Sequence, residues 1–198
     1  MSAPAAPDGI REQRRAFTVT EIARRAIDLF VERGYDDVTV DEIAAAADIS
    51  ARTFFRYFPS KSDVLREHQR HLFDRLTRAL MDRPRLESPS TALRKAFLFT
   101  AEMRPADNDR YVAVGRLLFR DDTALADAFA FESARVDELI RALVSRGAVH
   151  DIDLEATVGA HLGAAQAAFR FWVRHGGTEP LIDLMQQAFS HVKSGRTR

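Results

Sequence analysis

The sequence predicts an all-α protein, with three short helices near the amino end followed by a bundle of longer ones. Apolar residues recur at intervals of three and four along most of the 198 residues, the period of a helix face. Strand signals are nearly absent, with no long alternating run of β-branched residues and no Asn-Gly hairpin. A hydrophobic content of 46% is enough to bury a real core. No run approaches the ~18 apolar residues that a membrane span requires.

The elements follow from local chemistry. Residues 1–17 read as a flexible amino-terminal arm. Thr18 with Glu21 has the spacing of a capping box, and Val19, Ile22, Ala23, Ala26, Ile27 and Phe30 form the face of a first helix that Gly34 ends. Thr39 with Glu42 repeats the box ahead of a short second helix with Val40, Ile43, Ala44 and Ala47 inward; Asp48 marks the turn. Ser50 is an N-cap for a third helix, which must stop by Phe58 because Pro59 disfavours helical geometry at the residue before it. Ser60 and Asp63 open a fourth, striped by Val64, Leu65, His68, Leu72, Leu76 and Leu80 and stopped by "DRPRLESPS". Further helices are expected near 91–102, 107–119, 121–146, 153–175 and 180–192. These divide the chain into an arm (1–17), a three-helix unit (18–62) and a larger bundle (63–198).

Charge is balanced over the whole chain, 29 basic against 29 acidic residues, but not locally. Residues 11–25 hold five arginines against two glutamates, and residues 49–66 hold four basic side chains against one aspartate. Between them, residues 28–48 hold seven acids against one arginine. Such segregation lets a neutral protein present one basic face.

The stretch "SARTFFRYFPSK" sharpens this. At the helical period, Phe54, Phe58 and Ala51 share one side, Phe55 and Tyr57 flank it, and Arg52, Thr53 and Arg56 point the opposite way. A helix of about eight residues, following another short one after a tight turn, has the layout of a helix-turn-helix, whose second helix enters the major groove. Arginine can donate two bonds to guanine, and threonine can pack its methyl on thymine or bond a phosphate. Thr39 and Ser50, at the amino ends of the second and third helices, are placed for phosphate oxygens, as are Tyr57 and Lys61. Phe55 can offer only apolar contact.

With these residues in view, "LFVERGYDDVTVDEIAAAADISARTFFRYFPSKSDVL" resembles the DNA-binding region of TetR/AcrR-type bacterial transcriptional regulators over about residues 17–66. The resemblance implies a homodimer with an amino-terminal three-helix helix-turn-helix domain and a carboxy-terminal helical bundle that binds an effector and dimerises. It assigns DNA contact to Thr39, Ala51, Arg52, Thr53, Phe55, Arg56, Tyr57 and Lys61, and implies a ligand-responsive repressor on a palindromic double-stranded operator. Two departures stand out: Asp48 replaces the usual turn glycine, and Phe55 stands where tyrosine is common, removing one hydroxyl contact.

Beyond residue 66 the resemblance thins. Phe97, Met103, Phe119, Phe129, Phe169 and Trp172 can line an apolar pocket between helices or simply fill a core. A similarity to actinobacterial members linked to acyl-CoA or mycofactocin systems implies a small lipophilic effector, acyl-CoA-like in chemistry; a constitutive DNA-binding protein with a solid bundle is the alternative. Gly159, Gly163 and Ala167 are four apart and permit close helix approach, and with Leu184 and Ala188 they could form a four-helix dimer seam. His68 and His71 lack a third metal ligand in sequence, and no nucleophile elbow, P-loop or dinucleotide fingerprint occurs, so neither enzyme activity nor a cofactor is expected. The lack of cysteine and of an apolar leader fits a cytoplasmic protein that does not engage the membrane.

Overall fold

The computed structural model describes the backbone of residues 7–102, 107–118 and 125–192, and side chains over 12–102, 107–117 and 134–192. Among the described residues there are nine α-helices and no strand: α1 Pro7–Arg33, α2 Val40–Ala46, α3 Ala51–Tyr57, α4 Lys61–Met81, α5 Pro89–Ala101, α6 Asn108–Leu118, α7 Leu125–Ser145, α8 Ile152–Arg174 and α9 Leu181–Ser190. They fall into two compact units, residues 1–71 and 72–198, divided within α4.

In the first unit, α1 begins at Pro7, inside the segment expected as an arm. Proline suits a first helical position because its missing N–H would have no partner there. The cap expected at Thr18 is therefore absent: the Thr18 hydroxyl donates to the Arg14 carbonyl one turn back (2.9 Å), and Glu21 accepts from Arg24 and Arg25 instead. The same four-residue pattern can open a helix or lie inside one, and the helical residues upstream decide which. Along α1, Ile22, Ala23, Ala26, Ile27 and Phe30 are buried, and the Gly34 N–H closes the last turn on Phe30.

The box at α2 does form. Thr39 Oγ1 accepts from Glu42 N (3.3 Å), while the Thr39 amide donates to Glu42 Oε2 (2.8 Å). Glu42 also accepts from Arg33 at 2.7 Å, tying the end of α1 to the start of α2. These partners, the Thr39 amide first, push the Glu42 carboxyl down to about 2. After α2, Asp48 adopts φ 55°, the left-handed conformation normally left to glycine. It is held by the Asp48 amide on Ala45 O (3.1 Å) and the Ile49 amide on Ala44 O (2.9 Å), the paired bonds of a Schellman turn. Ser50 then caps α3, accepting from Thr53 N at 3.1 Å.

The second unit is built around α8 and α9. Leu154, Val158, Leu162, Ala165, Trp172 and Val173 bury one side of α8 against a core shared with α5, α7 and α9. Gly177 follows α8 at φ 69°, and a Cβ there would stand 2.6 Å from Val112, so only glycine fits this turn. Among the unit's described residues, two polar side chains are buried. Arg146 donates to the carbonyls of Met81 (3.3 Å), Arg83 (2.6 Å) and Pro84 (2.8 Å), capping the carboxy end of α4 with a side chain from the far end of α7. His161 sits between Thr157 O (2.8 Å from Nδ1) and the Ser90 hydroxyl (3.3 Å from Nε2), 5.6 Å from the Phe189 ring. A carbonyl can only accept, so Nδ1 carries the proton and Nε2 accepts from Ser90: one neutral tautomer satisfies both. Burial lowers the His161 pKa, and Arg94 adds to that while the Thr157 bond opposes it.

Candidate nucleic-acid interface

Helix α3 is an apolar wedge with a polar outer face. Phe54 and Phe58 are buried, their centroids 5.5 Å apart, and Ala51 is half-buried. Arg52 and Arg56 are exposed, and Phe55 is 54% exposed as its flanking position predicts. Thr53 stays partly open, sharing a 3.0 Å hydroxyl contact with Ser50. Tyr57, at the last turn, has the Arg56 guanidinium 4.9 Å over its ring and accepts a bond from Arg56 Nη2 at 3.2 Å.

Lys61 makes contacts within the unit that its sequence neighbourhood does not announce. Its ammonium donates to Tyr35 O (2.5 Å) and Val38 O (2.8 Å) and lies 4.3 Å over the Tyr35 ring. An ammonium has three protons, and two are spent on the loop that delivers Thr39 to the head of α2. Lys61 thus ties down the loop that carries Thr39.

The electrostatics of the first unit separate its arginines into two groups. Arg24 pairs with Glu21 and Asp28, Arg25 with Glu21, Arg33 with Glu42, Arg66 with Asp63 and Arg70 with Glu67. Glu21, bonded first by Arg24, is pushed down to about 2. Arg14, Arg15, Arg52 and Arg56 form no ion pair among the described residues, and all four are exposed. Arg15 lies 5.9 Å over the ring of Tyr57, so the unpaired group extends from α3 to the first turns of α1. Arginines 14 and 15 were missed because the segment read as an arm; Pro7-Asp8, a proline and an acid in a first turn, was the signal that it is helix.

The other expected residues are scattered. Phe97 and Trp172 are buried in the second unit, Phe97 with its ring 5.8 Å from Phe189 and Trp172 donating from Nε1 to Glu179 O at 2.8 Å. Phe169 is partly buried and stacks on Trp172 at 5.9 Å. Met103, Phe119 and the Phe129 side chain lie outside the described residues. Gly159, Gly163 and Ala167 face outward on α8, with nothing within 4 Å of a Cβ built at either glycine. Leu184 and Ala188 are half-buried against the core. His71 Nε2 is 2.9 Å from the Thr20 hydroxyl, which itself donates to Ala16 O; His71 therefore donates there, and among the described residues no group of three metal-ligating side chains occurs. No helix among them is long and apolar enough to cross a membrane.

A short helix wedged on two rings, entered through a tight turn and displaying unpaired arginines, defines a helix-turn-helix nucleic-acid reader. The comparisons with known proteins carry this further. Residues 22–68 match the model of bacterial regulatory proteins of the tetR family, and residues 87–197 match the MftR C-terminal domain. The HTH-type transcriptional regulator TcmR of Streptomyces glaucescens is 31% identical over 158 residues, covering 77% of this chain and 69% of its own. A Mycobacterium tuberculosis protein named as the mycofactocin biosynthesis regulator MftR is 30% identical over 192 residues, covering 94% of both. Among solved structures, the Thermus thermophilus repressor FadR, in complex with lauroyl-CoA, aligns over 91% of this chain and 96% of its own, with a TM-score of 0.57 and 25% identity. The chain belongs to the TetR family of bacterial regulators, with an MftR-type carboxy-terminal domain. Its relatives are transcriptional regulators, not enzymes.

Proposed function

We propose that the protein is a ligand-responsive repressor that binds a palindromic operator as a homodimer and is released by a small lipophilic effector of acyl-CoA-like chemistry. The observation that carries the reading is the outer face of α3, where Arg52 and Arg56 stand exposed without an ion-pair partner among the described residues. Arg52 and Arg56 read guanine edges; Thr53 and Phe55 make methyl and ring contacts, and Ala51 lets the backbone approach. Thr39, Ser50 and Tyr57 hold phosphates, with Lys61 supporting Thr39 from behind. Two such readers need a spacing of roughly 34–36 Å to enter successive major grooves. The outward Gly159, Gly163 and Ala167 of α8, together with the half-buried Leu184 and Ala188 of α9, support a four-helix seam between copies.

The effector class is supported by the MftR-type carboxy-terminal match and by the lauroyl-CoA held by the FadR relative. An effector of this kind must prefer the conformation that cannot bind DNA, since tight binding to both conformations alike shifts nothing. One observation favours a constitutive regulator instead: Phe97 and Trp172 are 6% and 1% exposed, as in a filled core. The test is selection of bound fragments from random duplexes, then titration of the selected complex with lauroyl-CoA and other acyl-CoA esters. Release of the duplex is expected, and Arg52→Ala should cost ~1–3 kcal/mol on the selected site while relaxing base choice. Preferential binding that no ester disturbs would favour the constitutive reading, and no preference for any duplex would end both.

A further inference from the structure

We propose that the first turns of α1 make a second contact with the duplex, in which Arg14 and Arg15 engage the sugar-phosphate backbone flanking the bases read by α3. The inference rests on the operator-binding reading above, and three observations carry it. First, these arginines stand on a formed helix rather than a loose arm, since α1 runs from Pro7 and the Thr18 hydroxyl bonds the Arg14 carbonyl at 2.9 Å. A guanidinium on a formed helix loses less conformational freedom on binding than one on a free chain.

Second, Arg15 is beside the reader: its guanidinium lies 5.9 Å from the centroid of the Tyr57 ring, and Arg56 lies 4.9 Å from the same centroid. Tyr57 occupies the last turn of α3, so a duplex seated on Arg52 and Arg56 has its adjoining backbone within reach of Arg15. Third, both arginines lack an ion-pair partner among the described residues, as do Arg52 and Arg56 on α3, whereas Arg24, Arg25, Arg33, Arg66 and Arg70 are neutralised by nearby carboxylates. Glu12, three residues before Arg15, has the spacing for a helical ion pair, yet Arg15 is directed to Tyr57. A duplex carries one negative charge per ~1.7 Å of its axis, which is the partner that unpaired guanidinium groups fit. Held against a ring at the end of α3, Arg15 is placed for backbone oxygens rather than for base edges, and Arg14 extends the same contact.

The experiment compares the full chain, its Arg14→Ala/Arg15→Ala double variant, the matching double lysine variant and Arg52→Ala, on the selected duplex and on a random one, across a salt series. The alanine pair should weaken both duplexes by a similar factor and lower the salt slope by roughly one to two, with base preference intact. Its thermal midpoint should match that of the parent, and the lysine pair should recover most of the affinity. Unchanged affinity and slope in the alanine pair, while Arg52→Ala still weakens the selected duplex, would overturn the contact and leave the operator reading standing. A shifted base preference would overturn the assignment to the backbone. A parent protein that binds neither duplex would sink the operator reading itself.

Discussion

Helices α3 and α8 both bury one face, but they differ in what they leave outside. Helix α3 spends Phe54 and Phe58 on its core contact and keeps arginine, threonine and tyrosine at the surface. Helix α8 buries a ring, aliphatic side chains and a histidine, and its outer face is largely bare, with Gly159, Gly163 and Ala167 in a row. A surface rich in donors declares the chemistry of its partner, whereas a surface stripped of side chains declares only that something can come close. That is why the outer face of α3 points to a polyanion by its own chemistry, while the role of α8 needs a partner to define it.

Three substitutions on these two helices would break or sharpen the contrast. The largest effect is expected from Phe54→Ala, which removes a fully buried ring and should cost ~3–5 kcal/mol of stability in the first unit. Denaturant unfolding followed by circular dichroism measures it, and DNA binding should disappear with the fold; a loss of binding without a loss of stability would mean that the ring is not the anchor of α3. Next, Gly163→Arg places a long charged side chain where no neighbour lies within 4 Å, so the monomer should keep its stability. If copies pair through α8, sedimentation should show self-association weakened at least tenfold, about 1.4 kcal/mol; an unaltered association constant would move the seam elsewhere.

The smallest effect is a pH dependence centred on His161. Burial lowers its folded pKa below the unfolded value near 6.5, so the unfolded chain binds the proton more readily. Its contribution is complete above the unfolded value and is lost as pH falls from there toward the folded one. Thermal midpoints between pH 8 and pH 5 should therefore drop more steeply for the parent than for His161→Leu, which cannot titrate, and parallel curves would remove His161 as the cause.

The same contrast explains what could be read in advance. The caps of α2 and α3 were legible because Thr39, Glu42 and Ser50 act on backbone amides within three residues of themselves. The turn at Asp48 was legible because the resemblance has glycine at that place, and the positive φ of Asp48 shows why glycine is usual there. The start of α1 was not, because Thr18 and Glu21 fit a cap equally well as an interior turn, and only the helical residues upstream separate the two. The inward bonds of Lys61 were not legible, since its reach to the carbonyls of Tyr35 and Val38 spans more than twenty residues. Arg146 and His161 are more distant cases: their partners come from other helices, which no local pattern announces.

The grip of Lys61 on that loop has a mechanical consequence. The lysine is the first residue of α4, and the carbonyls it holds belong to the strap that ends in Thr39. A twist at the base of α4 therefore pulls on the head of α2 through a charged clasp, without first having to reshuffle the packed rings beneath α3. Replacing Lys61 by methionine removes both bonds while keeping most of the side chain's bulk, so the loop that carries Thr39 should loosen without loss of the apolar stem.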